Sequence, residues 1–264
     1  MSDSSSSDDE YSTELSPETL AVLQAFLKDK DLQERVSKEI SDFSTQIEEG
    51  DALTAKMATP EYWETRYVND PPREDEETFD WLADYAKVGP VLEEWIGSRK
   101  DGRTLITGCG NSKLTECMAR DGKWKNLFSV DCSQTVIRVM DERTRRSLAP
   151  EVAEQIKWEV QDIREMTYPD ESFDVIVDKA TVDALLADKS EQDEDGVCPD
   201  VAKTLNEFVR VLKPKGLFIW ISFGRPKTAL LNRLPWGGKW KIVEKKQIGD
   251  PGCITFDAYL LQKN

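Results

Sequence analysis

Residues 104–112 read Thr-Leu-Ile-Thr-Gly-Cys-Gly-Asn-Ser, and their reading decides the fold. Four apolar or β-branched residues run into Gly108-x-Gly110, and helical spacing opens at Ser112. Strand, glycine turn and helix in that order make the first unit of a doubly wound sheet, whose ligands sit beyond the carboxyl ends of the strands. Glycine lets the backbone turn tightly and approach a ligand closely. The third glycine of a dinucleotide fingerprint would fall at position 113, which is Lys113. A long side chain there disfavours a pyrophosphate and points to a nucleoside without phosphates.

Outward from this unit the alternation continues. Strands are expected over 127–130, 156–160, 173–177 and 217–222, with helices over 112–120, 133–146 and 199–212. Two last strands, 240–247 and 254–261, are joined by Gly249-Asp250-Pro251-Gly252. So short a turn holds no crossover helix, so this pair is antiparallel. The expectation is an α/β fold: a mostly parallel sheet with helices on both faces, closed by a C-terminal antiparallel hairpin.

Three parts are expected along the chain. Residues 1–14 form an acidic, Ser-rich tail, disordered by composition. Residues 15–58 form a helical extension: Ser16-Pro17-Glu18 starts one helix with Leu20, Leu23, Phe26 and Leu27 on a stripe, and Leu32, Val36, Ile40, Phe43 and Ile47 mark a second. Residues 59–264 form the catalytic domain, opening with the aromatic helix Tyr62-Trp63-Glu64-Thr65-Arg66-Tyr67 and then a long helix over 79–96 broken at Gly89-Pro90.

Composition narrows the chemistry. The 264 residues carry a net charge of −16 and no histidine. Histidine-based triads and His-ligated metals are therefore excluded. The five cysteines include no C-x-x-C pair, which argues against a zinc site or a disulfide framework, so no metal is expected. A surface this acidic repels phosphate backbones, so nucleic acid is a poor partner and a basic protein a better one. Residues 213–246 reverse the balance, with nine Lys and Arg against Glu244 alone, and read either as a docking face or as solvated strand-edge lysines. No apolar run reaches the ~18 residues of a membrane span, and no leader pattern is seen, so the reading is cytoplasmic, with the nucleus open.

Acids stand at successive strand ends: Asp131, Asp162 and Asp178. An acid at Asp131 suits both ribose hydroxyls. Asp162 beside Ile163 offers an acceptor for an adenine amino group and an apolar wall for its ring. Any one of these could merely cap a helix; as a set in register they point to S-adenosylmethionine.

The segments 105–112, 129–133 (Ser-Val-Asp-Cys-Ser), 161–163 and 173–186 (Phe-Asp-Val-Ile-Val-Asp-Lys-Ala-Thr-Val-Asp-Ala-Leu-Leu) resemble class I S-adenosylmethionine-dependent methyltransferases. More narrowly they are similar to the branch that methylates lysines of eukaryotic translation elongation factor 1-alpha, which carries a like K-G-T-[LV]-D-A-[LI] block. The resemblance covers residues 60 to 262 and implies the Rossmann-like seven-stranded methyltransferase sheet. It also implies that Trp63, Tyr67, Trp81, Gly108, Asp131, Cys132, Asp162, Ile163 and Lys179 line the cofactor pocket. Gly110, Asn111, Ser133 and Asp178, from the same motifs, complete the expected cofactor set. Ala180 stands where the branch usually has Gly, and Cys132 where an aromatic is common. Residues 15–26 are weakly similar to the start of another methyltransferase of the same factor.

The expected function is methylation of a protein lysine, with elongation factor 1-alpha as partner and Asp183 orienting the amine or simply capping a helix. The Asn/Asp-Pro-Pro-Tyr signature of base and glutamine methyltransferases is missing after the fourth strand. Two alternatives stay open: a small-molecule methyltransferase on the same fold, and a non-catalytic binding module.

Overall fold

The computed structural model describes residues 53–70, 80–188, 198–223, 231, 238–249 and 255–264. The chain divides into two compact units, Met1–Gly50 and Asp51–Asn264, and every described residue belongs to the second. The helices expected from Ser16 and around Leu32–Ile47, and the acidic tail before them, lie outside the described residues.

The unit is a single seven-stranded sheet in the order β3-β2-β1-β4-β5-β7-β6. Its strands are β1 (Thr104–Thr107), β2 (Leu127–Asp131), β3 (Ile156–Val160), β4 (Phe173–Lys179), β5 (Leu212–Ser222), β6 (Trp240–Ile248) and β7 (Phe256–Lys263). The first five pair in parallel, while β7 inserts antiparallel between β5 and β6. The order reverses at β1 and β4, and that reversal opens the crevice in which such sheets hold ligands.

Alternation along the strands builds a core on each face. Leu105, Phe128, Ile176 and Phe218 point to one side, where helix α7 (Pro199–Val211) buries Val201, Leu205 and Phe208. Ile106, Leu127, Val175 and Ile219 point to the other, packing with Val88, Leu92 and Ile96 of α2 (Tyr85–Ile96) and with Met118 of α3 (Leu114–Arg120). β1 and β2 are buried along their whole length, as central strands covered on both faces are.

Ahead of the sheet lies α1 (Pro60–Asn69), with Thr59 as N-cap and Pro60 at its first position. The remaining helices are α4 (Gln134–Ser147), the short α5 (Pro150–Ala153) and α6 (Thr181–Leu186). The helix expected over 79–96 starts at Tyr85, where the Asp84 side chain accepts from the Lys87 N–H, and it runs through Pro90 without a break. Burial of Val88, Leu92, Trp95 and Ile96 outweighs the hydrogen bond that Pro90 cannot make. Among the described residues no helix is long and apolar enough to cross a membrane, and no cluster of His, Cys, Asp or Glu could hold a metal ion.

Candidate functional site

Beyond the carboxyl ends of β1, β2, β3 and β4 lies a cavity of ≈ 310 Å³. Each strand end supplies one wall. After β1 the chain turns through Gly108 and Gly110 at φ +52° and +50°, in the left-handed region that favours glycine. A Cβ on Gly108 would lie 2.1 Å from Thr181 Oγ1 of α6, and one on Gly110 2.7 Å from the Tyr67 hydroxyl of α1. Both glycines therefore let another element close over the loop.

Asp131 ends β2 and is 7% exposed. Its Oδ2 accepts the Gly110 N–H at 3.0 Å and its Oδ1 the Ser133 N–H at 3.0 Å. Burial raises its pKa, while these two N–H groups act against that rise. Burial and the Asp131 charge push the Cys132 thiol up to about 12, so it lines the cavity as an uncharged wall. The same two causes raise the Tyr67 hydroxyl well above its ordinary value.

After β3, Asp162 and Ile163 face the cavity. Asp162 is gripped by Arg164, whose Nη2 lies 2.7 Å from Oδ2 and whose Nε lies 2.9 Å from Oδ1. Burial alone would raise this carboxyl, but the Arg164 contacts hold it below the usual range.

The end of β4 divides its acids between two layers. Asp178 is fully buried behind the cavity, accepting from Thr107 Oγ1 at 2.7 Å and from the Val182 N–H at 3.2 Å. Burial pushes it up to about 7. Lys179 does reach the cavity. Its ammonium lies 3.2 Å from Asp80 Oδ1 and donates to the Trp81 carbonyl at 2.8 Å, and burial lowers its pKa. Ser112 also donates to Asp80.

Helix α1 closes one side. Trp63 and Tyr67 stack with centroids 6.2 Å apart, and Trp63 meets Trp81 edge-on at 6.4 Å. Glu64 ties the helix down, accepting from Ser133 Oγ and Thr135 Oγ1 at 2.6 Å each, contacts that lower its pKa. Asp183, on α6, accepts from Ser222 Oγ at 2.7 Å and from the Phe223 N–H at 2.8 Å, so it joins α6 to the end of β5.

The structure brings most of the expected set to this one cavity: the three aromatics, both glycines and Asn111, Asp131 with Cys132, Asp162 with Ile163, Lys179 and Asp183. Ser133 and Asp178 stand a layer behind, Ser133 capping α4 and holding Glu64. Sequence reasoning missed Asp80 and Thr181, which act through contacts distant in the chain, and Arg164, which grips Asp162 two residues before it. It also missed Met57, Leu185 and Phe223 on the cavity wall. In the basic stretch, Lys213 pairs with Asp174 and Lys245 with Asp257 at 2.8 Å each, and Lys246 with Glu94. Those lysines are engaged within the fold.

The donor set suits a nucleoside without phosphates. Its two cations, Lys179 and Arg164, are already paired with carboxylates, while acids and apolar rings cover the walls.

Comparison with known proteins agrees. The methyltransferase domain family matches residues 105–220, from β1 into β5. The chain is 33% identical over 187 residues to an EEF1A lysine methyltransferase 4 of Bos taurus, covering 69% of this chain and 68% of that protein. It is 31% identical over 170 residues to an eEF1A lysine and N-terminal methyltransferase of Xenopus laevis, 64% of this chain and only 22% of that longer protein. A solved structure from work on conversion of a disulfide bond into a thioacetal group during echinomycin biosynthesis shares the fold. Its TM-score is 0.52 at 16% identity, over 78% of this chain and 93% of that one.

Proposed function

The chain belongs to the class I S-adenosylmethionine-dependent methyltransferases, in the family of the eEF1A lysine methyltransferases, and on that premise we propose that it methylates a lysine side chain of translation elongation factor 1-alpha. When bound, S-adenosylmethionine supplies a sulfonium methyl group for in-line displacement. The chain's own residues do the rest. Asp131 would accept from the ribose hydroxyls, Asp162 and Ile163 would take the adenine, and Trp63, Tyr67 and Trp81 would shield the reacting end from water.

The observation that carries the acceptor is the composition of the cavity beyond the strand ends. Met57, Leu185 and Phe223 line the same cavity as Asp131 and Lys179. An apolar wall of this kind suits the aliphatic stem of a lysine and favours its neutral amine over the ammonium. A neutral amine held there would present its lone pair to the methyl group, and the proton it then sheds would leave to water. Asp183, held by Ser222 and Phe223, orients the amine at the cavity wall.

The test is purified protein, labelled cofactor and recombinant elongation factor 1-alpha, alone and as a panel of lysine-to-arginine variants. The reading expects label on the factor and its loss in one variant. Label that persists with every candidate lysine replaced, or that goes to another protein in a lysate while the factor stays unlabelled, removes this substrate.

A further inference from the structure

We propose that Arg164 is a positioning residue for cofactor selection: it aims the Asp162 carboxylate so that the site takes a 6-amino purine and rejects a 6-oxo purine. This rests on the reading that Asp162 meets the adenine edge. An ionised carboxylate only accepts hydrogen bonds, whereas a protonated one can also donate. An adenine amino group donates, and a hypoxanthine 6-oxo group accepts. A carboxylate aimed at the purine edge therefore matches the 6-amino purine and repels the 6-oxo purine.

Three donors of Arg164 converge on Asp162. The backbone N–H reaches Oδ1 at 2.9 Å, Nε reaches Oδ1 at 2.9 Å, and Nη2 reaches Oδ2 at 2.7 Å. Nε also reaches Oδ2 at 3.1 Å, so its single proton is shared between the two oxygens. Three donors thus meet the about four acceptor sites of a carboxylate, which leaves room for one more. Burial works against the charge on Asp162, and Arg164 is the first contact that opposes it.

Arg164 is itself anchored. Its Nη1 donates to Asp200 in the first turn of α7. Further along α7, Glu207 accepts the Met166 N–H at 2.8 Å, and Arg210 donates to the Met166 carbonyl at 2.9 Å and the Tyr168 carbonyl at 2.7 Å. One polar stripe of α7 thus grips the loop after β3 at several points. Gln161 closes that loop from the other side, exchanging hydrogen bonds with Thr167 through Nε2 at 2.8 Å and Oε1 at 3.1 Å. Removing the Arg164 side chain leaves these other clamps in place, so it takes the aim from Asp162 without releasing the loop.

The experiment is calorimetric binding of S-adenosylhomocysteine and its inosine counterpart to the full chain, as wild type, Arg164→Gln, Arg164→Lys and Asp162→Ala, each checked by thermal melting. The wild type is expected to prefer the adenosine ligand. In Arg164→Gln that affinity falls about tenfold, the scale of one charge-assisted hydrogen bond, while the inosine ligand changes little. Arg164→Lys keeps the charge but not the fork, and restores part of the preference. Equal weakening of both ligands in Arg164→Gln marks a merely structural role and overturns the proposal. So does an unchanged preference in Arg164→Gln beside a lost one in Asp162→Ala. An unchanged preference in Asp162→Ala overturns the adenine reading beneath it as well.

Discussion

Two acids stand near the ends of β2 and β4, the strands that flank β1, and their surroundings give them different work. Asp131 accepts from two N–H groups at the cavity wall, whereas Asp178 sits behind it with its pKa pushed up to about 7. A carboxyl whose folded pKa is raised from ~3.9 binds its proton more tightly in the fold than in the unfolded chain. Its stability contribution is full below about pH 4 and is lost as the pH rises through about 7. Asn mimics the protonated acid, giving a carbonyl to the Val182 N–H and an amino group to Thr107 Oγ1. Melting of wild type and Asp178→Asn across pH should therefore show the variant gaining on wild type as the pH rises, and a constant gap would sink the assignment. Ala180 carries a second residue-scale cost, at φ +70° ahead of α6. Ala180→Gly should raise stability by up to about 1 kcal/mol in chemical denaturation, the strain relieved less the entropy glycine adds to the unfolded chain. The need for a special residue there was legible, since the related branch usually has Gly at that position. The role of Asp178 was not: nothing in the sequence separates a strand-end acid that faces a cavity from one buried behind it.

Helix α1 lines the cofactor site with Trp63 and Tyr67, and Glu64 ties it to α4. Glu64→Ala removes the acceptor for Ser133 and Thr135, and with it the seat of Trp63 and Tyr67. Cofactor affinity should fall about tenfold in a binding titration, while the sheet melts as one unit at a temperature only slightly lowered. Unchanged affinity would show that α1 keeps its place without Glu64. At this scale the strands were the most legible feature, because their apolar runs are short and each is followed by a chemically marked end. β1 and β3 have the bounds expected of them. β5 begins five residues earlier than its expected start, at Leu212, which pairs with Phe173, while Pro214 and Gly216 fall in the bulge before Leu217 pairs with Val175. α6, with six residues, is too short to show a helical period. Phe79 and the residues 71–78 before it lie outside the described residues, so the early start expected for α2 is corrected only from Asp80 onward.

Across the whole chain, the site and its supports belong to one unit, Asp51–Asn264. Deleting residues 1–50 should leave cofactor affinity within about threefold of the full chain, and a fall beyond about tenfold would place a cavity wall in the removed segment. The net charge of −16 suits a basic partner through steering, an effect on encounter rate that fades with salt. The central claim is that S-adenosylmethionine occupies the strand-end cavity with Asp131 on its ribose. Trp63 and Trp81 line that cavity, so their emission reports its filling. The direct measurement is a tryptophan-fluorescence titration of the full chain with S-adenosylmethionine, beside Asp131→Ala. A saturable change in the wild type, shifted to at least about tenfold higher cofactor concentration in the variant, is the expected result. Saturation at the same concentration in both proteins, or no change in either, would contradict it.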